Sequence, residues 1–258
     1  MSKLAIDMNS DLGESFGAWR MGDDALVLSS VSSANVACGY HAGDPAIMRE
    51  TVKLCLNGGV AIGAHVSYPD LAGFGRRNMA CSPDDVYGYC LYQIGALEVF
   101  CHAAGTTLQH VKPHGAMYNQ AAKDRNLADA IASAVKDTGG DIILMGLAGS
   151  EFEPAAKALG VRFASEAFAD RAYLEDGSLM PRSREGAVIH DAAVAASRVV
   201  QMATKGTVTA GDGTEIRFKP DTICLHGDTK EAVGMAAAVR RALEEAGVMI
   251  KPLRETLQ

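Results

Sequence analysis

The stretch HVKPHGAMYN, residues 110–119, sets two histidines, a lysine, a tyrosine and an asparagine around a single proline. Imidazoles four residues apart share one face of a helix, as in the zinc-binding H-E-x-x-H arrangement. Pro113 defeats that reading, because it removes an amide donor and clashes with the preceding turn. It also biases Lys112 toward extended geometry. Read as a strand, TLQHVK places His110 and Lys112 on one face, ends at Pro113 and releases His114 into the following loop. A lysine can hold an anion and a histidine can exchange a proton near neutral pH. Barrel enzymes gather such groups at the C-terminal ends of their strands.

The elements that would position them follow from the apolar pattern. Short apolar runs predict strands over 3–9, 32–38, 59–65, 107–112, 141–146, 161–166 and 222–227. Between them lie helical patterns such as DPAIMRETVKLCLNGG and SPDDVYGYCLYQIGALEVFCHAAG, the second opened by a Ser cap with Pro after it and closed at Gly105. Three more follow: DRNLADAIASAVKDTGG, HDAAVAASRVVQMATKG and TKEAVGMAAAVRRALEEAG. Strand followed by helix, repeated, implies parallel strands with helical crossovers. TVTAGDGTEIRF interrupts the series with a hairpin signal. No linker or low-complexity tract divides the chain, so residues 1–258 are expected to form one α/β domain, a (β/α) barrel. An open doubly wound sheet is the alternative.

Composition narrows the partners. Hydrophobic residues make up 48% of 258, and 24 basic against 31 acidic residues give a net charge of −7. An acidic surface argues against nucleic acid or anionic membrane as partner. No apolar run reaches the length of a membrane span, and the N-terminus turns polar too early for a signal peptide. Six cysteines without C-x-x-C spacing are expected to be reduced, mostly buried thiols in a cytoplasmic protein.

The unusual polar residues cluster at predicted strand ends. Asn9, Asp11 and Glu14 follow the first strand, and Asn35, His41 and Asp44 the second. His65, Asp70, Arg76 and Arg77 follow the third; Tyr118 lies beyond the fourth. Glu166, Asp170 and Arg171 follow the sixth, and His226 and Asp228 the last. Singly each has a plainer reading. A lone histidine is more often structural than a ligand, Asn9 and Asp11 can simply cap a turn, and Arg77 alone reads as solvated. GLAGS could cap a helix or cradle an anion, but no G-x-x-x-x-G-K-[ST] loop occurs. His102 and His190 read as structural. Convergence of the others at one barrel mouth is the functional signal.

In fixed order, MNSDLGESFG, SSANVACGYHAGDP, GAHVSYPDLAGFGRR, HVKPHGAMYN, GLAGS, EAFADRAY and CLHGD cover nearly the whole chain. They closely resemble the family of 5-oxoprolinase A-subunits, also called LamB/YcsF. The departures are Tyr40, Val66 and Met117, where Phe, Pro and Leu are common, and none removes a polar candidate. The resemblance implies a seven-stranded (β/α) barrel related to the glycoside hydrolase/deacetylase barrels. It also implies ATP-dependent hydrolysis of 5-oxo-L-proline (pyroglutamate) to L-glutamate with two further subunits, of B and C type. ATP with Mg2+ would be the cosubstrate. Such a site needs a cation for the substrate carboxylate, donors for the developing oxyanion and a base for water. Asp11, His65, Lys112 and His114 are the expected catalytic residues, with Asp11 or Asp70 orienting the base. Asn9, Asn35, His41, Arg76, Tyr118, Glu166 and His226 are the expected substrate-binding residues. Asp11, Glu14, Asp44 and Asp228 are candidate ligands for a divalent ion. Two other readings compete: a metal-dependent deacetylase or amidohydrolase needing no ATP, and a non-catalytic small-molecule binding or transport-associated subunit. The many titratable groups at one mouth disfavour the last.

Overall fold

The computed structural model describes residues 4–225 and 230–257, with the side chains of 230–232 excepted. His226 and Asp228 therefore lie outside the described residues. In chain order the elements are β1 (Ala5–Leu12), α1 (Asp24–Leu28), β2 (Ser33–Ala37), α2 (Pro45–Gly58), β3 (Ala61–Val66) and α3 (Pro83–Ala103). Next come β4 (Leu108–Pro113), α4 (Gly115–Ala121), α5 (Arg125–Asp137), β5 (Ile143–Leu147), α6 (Phe152–Leu159) and β6 (Arg162–Phe168). The chain continues with α7 (Ala192–Lys205), β7 (Thr207–Thr209), β8 (Glu215–Arg217) and β9 (Thr222–Cys224). It closes with α8 (Lys230–Glu245), β10 (Met249–Ile250) and α9 (Leu253–Thr256).

Strands β1 to β6 pair in sequence, β9 follows β6, and β9 also pairs with β1, all in parallel. The sheet thus closes into the expected seven-stranded barrel, which abolishes free edges. β10 adds to the N-terminal half of β1 as an extra parallel partner. The Gly-Asp-Gly signal does make an antiparallel hairpin, β7–β8, outside the barrel.

β1 and β4 depart from the sequence reading for physical reasons. β1 runs on to Leu12 instead of ending at residue 9. Asp7, Asn9 and Asp11 alternate with apolar or small residues, so the polar face of a strand imitated a turn or helix-start signal. In β4 the pairing with β3 shifts between Ile62 and Gly63, leaving Gln109 as an extra residue. That bulge lets Gln109 and His110, consecutive in sequence, both bond within the barrel.

The barrel interior is layered. Its floor is a small apolar cluster of Ile143, Met145, Ala164 and Leu253, the last delivered by α9. Arg254 anchors α9 by donating to the Leu108 carbonyl and Thr107. Above lies a buried polar layer. Asp7 accepts from Ser32, Ser33 and Thr222, and burial pushes its carboxyl up to about 6 despite those donors. Asn35 donates to Asn9 at 2.7 Å and accepts from His110 Nε2 at 2.7 Å. The main apolar core fills the space between barrel and helices, where Val86, Ile94, Leu97, Ile131, Phe152 and Val199 are buried. All six cysteines are free thiols, five of them buried, as the spacing suggested. Among the described residues no helix is long and apolar enough to cross a membrane.

Gly63 has one reason to be glycine: a Cβ there would sit 2.0 Å from His110 Nε2. Gly88, on α3, has nothing within 4 Å of its would-be Cβ. Gly63→Ala is therefore expected to destabilise by at least ~1–3 kcal/mol through overpacking. Gly88→Ala should stabilise by ~0.5–1 kcal/mol through helix propensity. Thermal unfolding of the two variants checks both signs, and equal effects would contradict the packing argument.

Candidate functional site

Three strand ends and two loops build the mouth. Asp11 leaves β1, His65 lies near the end of β3, and Lys112 is the penultimate residue of β4. His114 follows as the N-cap residue of α4, released by Pro113 as the sequence requires. Glu14 and His41 come from the loops after β1 and β2.

Lys112 is buried, yet its ammonium lies 3.0 Å from Asp11 Oδ1 and 2.9 Å from Glu166 Oε1. It also donates to Asn9 at 3.3 Å and to Cys224 Sγ at 3.1 Å. Burial opposes the charge, but Asp11, Cys224 and Glu166 together hold the lysine well above the ordinary range. Tyr118 braces the far side by donating to Glu166 Oε2 at 2.7 Å. With its donors thus engaged, Lys112 supplies fixed positive charge and not a free arm for ligand.

Next to this triad sit three imidazoles and a carboxylate. His65 Nδ1 donates to the Lys112 carbonyl at 3.0 Å, and His114 Nε2 donates to the Phe74 carbonyl at 2.9 Å. A carbonyl can only accept, so both tautomers are set. The remaining nitrogens, His65 Nε2 and His114 Nδ1, face each other at 3.0 Å. His41 Nε2 lies 3.1 Å from Glu14 Oε1, which is 3.7 Å from His114 Nδ1. Asp11 Oδ2 stands 3.4 Å from His65 Nε2. The His41 and His114 rings stack in parallel at 3.9 Å, with His65 edge-on to both. Burial, followed by the neighbouring imidazoles, drives His41 and His114 well below the ordinary histidine range. One ligand atom from each of Glu14, His41, His65 and His114 lies within 4.8 Å of the others, so the group can hold a metal ion.

The loop over this cluster explains GFGRR. Phe74 adopts φ 54, a left-handed conformation uncommon for a bulky side chain. It thereby aims its carbonyl at His114 and sets its ring edge-on to His41 and His114. Gly75, at φ 63, permits close passage: a Cβ there would meet Ser67 Oγ at 2.3 Å and His114 Cδ2 at 2.8 Å.

A cavity of about 870 Å³ opens here, lined by Asp11, Glu14, His65, Lys112 and His114. Arg76, Tyr118, Arg171 and Arg182 also border it. Arg76 is exposed, with its guanidinium 5.1 Å from the Phe74 ring centroid, well placed for an incoming anion.

Several expected residues have other tasks. Asp44 caps α2, accepting from Ala46 and Ile47 with one oxygen and from Gly17 with the other. Its carboxylate serves backbone amides, not the ion-holding group. Asp70 does not orient a histidine; it is paired with Arg77 and accepts from the Gly73 amide. Asn9 and Asn35 sit in the polar layer beneath Asp11 and Lys112, outside the cavity lining. His102 and His190 are exposed and take no part. The sequence reading missed the histidine–carboxylate group as a unit, and it passed over Cys224 and the bracing of Glu166 by Tyr118. The period-two polar run Asp7, Asn9, Asp11 was the one available signal for the network.

Fold and mouth together define a (β/α)-barrel protein whose C-terminal face gathers histidines and carboxylates able to hold a metal ion. The chain belongs to the LamB/YcsF family, whose model matches residues 6–258. It is 53% identical to a Geobacillus kaustophilus protein named as the A-subunit of 5-oxoprolinase, covering 97% of this chain and 98% of that one. A Kocuria rhizophila protein of the same name is 52% identical, with 95% and 98% covered. Among solved structures, the lactam utilization protein from Thermus thermophilus superposes with a TM-score of 0.92 at 48% identity, covering 96% and 99%. A deacetylase, T48, shares the fold alone, with a TM-score of 0.52 at 12% identity.

Removing one member of the charge triad leaves buried carboxylates without their cation. Lys112→Met is expected to lower stability by ~3–5 kcal/mol, read as a fall in denaturation midpoint; a near-wild-type midpoint would contradict the triad. His110 gives a pH test. Burial, then the Lys112 charge, lowers it to about 3. Between that value and the ordinary 6.5 the unfolded chain binds the extra proton, so stability falls as pH drops through this window. Asp7, raised to about 6, has the opposite slope from 3.8 to 6. Denaturant titrations from about pH 7 to 4 should show a steeper acid loss in Asp7→Asn and a shallower one in His110→Asn.

Proposed function

We propose that this chain is the A-type component of a cytoplasmic 5-oxoprolinase, a hydrolase that opens the lactam of 5-oxo-L-proline to L-glutamate with ATP cleavage to ADP and phosphate. Two partner subunits of B and C type complete the coupled reaction. Residues 1–258 act as one barrel domain. The observation that carries this reading is the polar mouth itself, in a chain about half identical, over nearly full length, to proteins named as 5-oxoprolinase A-subunits.

The substrate is a five-membered lactam bearing a carboxylate. Water adds its oxygen to the ring carbonyl carbon, the C–N bond breaks, and nitrogen takes a proton to become the amine. An amide resists such attack. Transfer of the ATP γ-phosphoryl to the lactam oxygen creates a better electrophile; ring opening by the first water then leaves an acyl phosphate, and a second water releases inorganic phosphate and the glutamate carboxylate. Arg76 at the cavity rim can hold the substrate carboxylate or a phosphate oxygen. Asp11, which lines the cavity with Oδ2 3.4 Å from His65 Nε2, can take the proton from water. Lys112 contributes positive charge beneath the reacting atoms while holding Asp11 and Glu166 in place. Mg2+ prefers oxygen ligands, so a nitrogen-rich group fits it poorly; the ion would travel with the nucleotide phosphates. A cavity of about 870 Å³ leaves room beside a small lactam.

A second reading, ATP-independent amide hydrolysis with a bound metal, is favoured by one observation, the glutamate and three histidines. A single assay separates the two. Purified chain with 5-oxoproline and Mg-ATP is expected to give little or no glutamate, and adding both partner subunits should restore matched release of glutamate and ADP. Robust glutamate release by the chain alone without ATP would support the second reading instead.

A further inference from the structure

We infer that Glu14, His41, His65 and His114 form a specific site for one divalent transition-metal ion of the zinc class, distinct from any Mg2+ carried by a nucleotide. Two carbonyl bonds carry the argument. Because His65 Nδ1 donates to Lys112 and His114 Nε2 donates to Phe74, two nitrogens that bear lone pairs face each other at 3.0 Å. Such an arrangement is repulsive unless a cation lies between or beside them.

The surroundings select the cation. Glu14 Oε1 stands 3.1 Å from His41 Nε2 and 3.7 Å from His114 Nδ1. With the 3.0 Å imidazole pair, these separations bracket the ~3.3 Å edge of a tetrahedron whose metal–donor bonds are ~2.0–2.1 Å. Three nitrogens and one carboxylate oxygen suit Zn2+, Co2+ or Fe2+ and disfavour Mg2+ and Ca2+. Ligand histidines usually donate their second ring nitrogen to a carbonyl or carboxylate, which fixes tautomer and ring plane. His65 and His114 both do so here. Phe74 at φ 54 and Gly75 at φ 63 hold the loop that supplies one of those carbonyls. Glu14, His65 and His114 also line the cavity, so a metal there would lie beside the ligand space.

Binding can be measured without substrate, ATP or partners, so failure here is separate from failure of the lactam reading. Full-length chain is stripped with a chelator and titrated with Co2+, Zn2+ and Mg2+. The expected result is one equivalent of Co2+ per chain, with the visible absorption of a four-coordinate site, displaced by Zn2+. Zn2+ should also raise the melting temperature, and excess Mg2+ should do neither. Glu14→Gln, close to isosteric, and His114→Asn should each weaken Zn2+ binding by at least ~10²-fold. His102→Asn, exposed on α3, should bind as wild type. The absence of stoichiometric uptake by the wild-type chain overturns the proposal; the facing nitrogens then share a proton. Uptake unchanged in both Glu14→Gln and His114→Asn variants overturns it equally.

Discussion

A buried ammonium held between two carboxylates governs this barrel. Lys112 could not remain charged in the interior without Asp11 and Glu166, because desolvating an isolated ion costs far more than one hydrogen bond returns. Each carboxylate is in turn braced, Asp11 by Asn35 and Glu166 by Tyr118. Those partners lead into the layer of Asn9, Thr222, Asp7 and His110 beneath. Barrel closure depends on the same residues, since β1, β4, β6 and β9 each contribute a member. A buried ion pair is weak evidence for stability. Its value here is geometric, because it places the charges under one mouth and fixes which way each side chain points.

The polar layers also explain how the barrel accommodates so much buried polar chemistry. An apolar floor sealed by Leu253 excludes water from below, and the core between sheet and helices is conventional. Inside the barrel, Asp7, Asn9, Asn35, His110, Lys112 and Glu166 are buried polar groups supplied by the strands. Each strand contributes one face, so a chain with alternating polar and apolar residues can serve both the core outside and the network inside.

Above the network, the loop that follows β3 converts a set of histidines into a centre. Phe74 and Gly75 adopt conformations that direct a carbonyl onto His114 and allow the backbone to pass close by. Asp70 and Arg77 pin the same loop from the outside. Residues that the sequence offers as catalytic candidates thus divide between chemistry and support: His65 and His114 face the cavity, whereas Asp70 and Asp44 hold backbone in place.

The amino-acid sequence by itself determined the barrel, because apolar runs of strand length alternate with capped helical patterns and each is a local property. It also placed His41, His65, Lys112 and His114 at strand ends, since Pro113 and the strand period act over a few residues. Tertiary structure alone decided which of them meet. The pairing of Lys112 with Glu166 spans 54 positions, and the bond of Lys112 to Cys224 spans 112, distances over which no local pattern carries information. The Gln109 bulge was invisible because it depends on register with the neighbouring strand. The end of β1 was misplaced because a polar inward face and a turn look alike until the barrel interior exists to receive Asp11. Likewise, Pro113 between His110 and His114 spoke against a helical metal motif, and correctly. Convergence of His114 with Glu14, His41 and His65 comes from four separate loops and strand ends brought together by barrel closure.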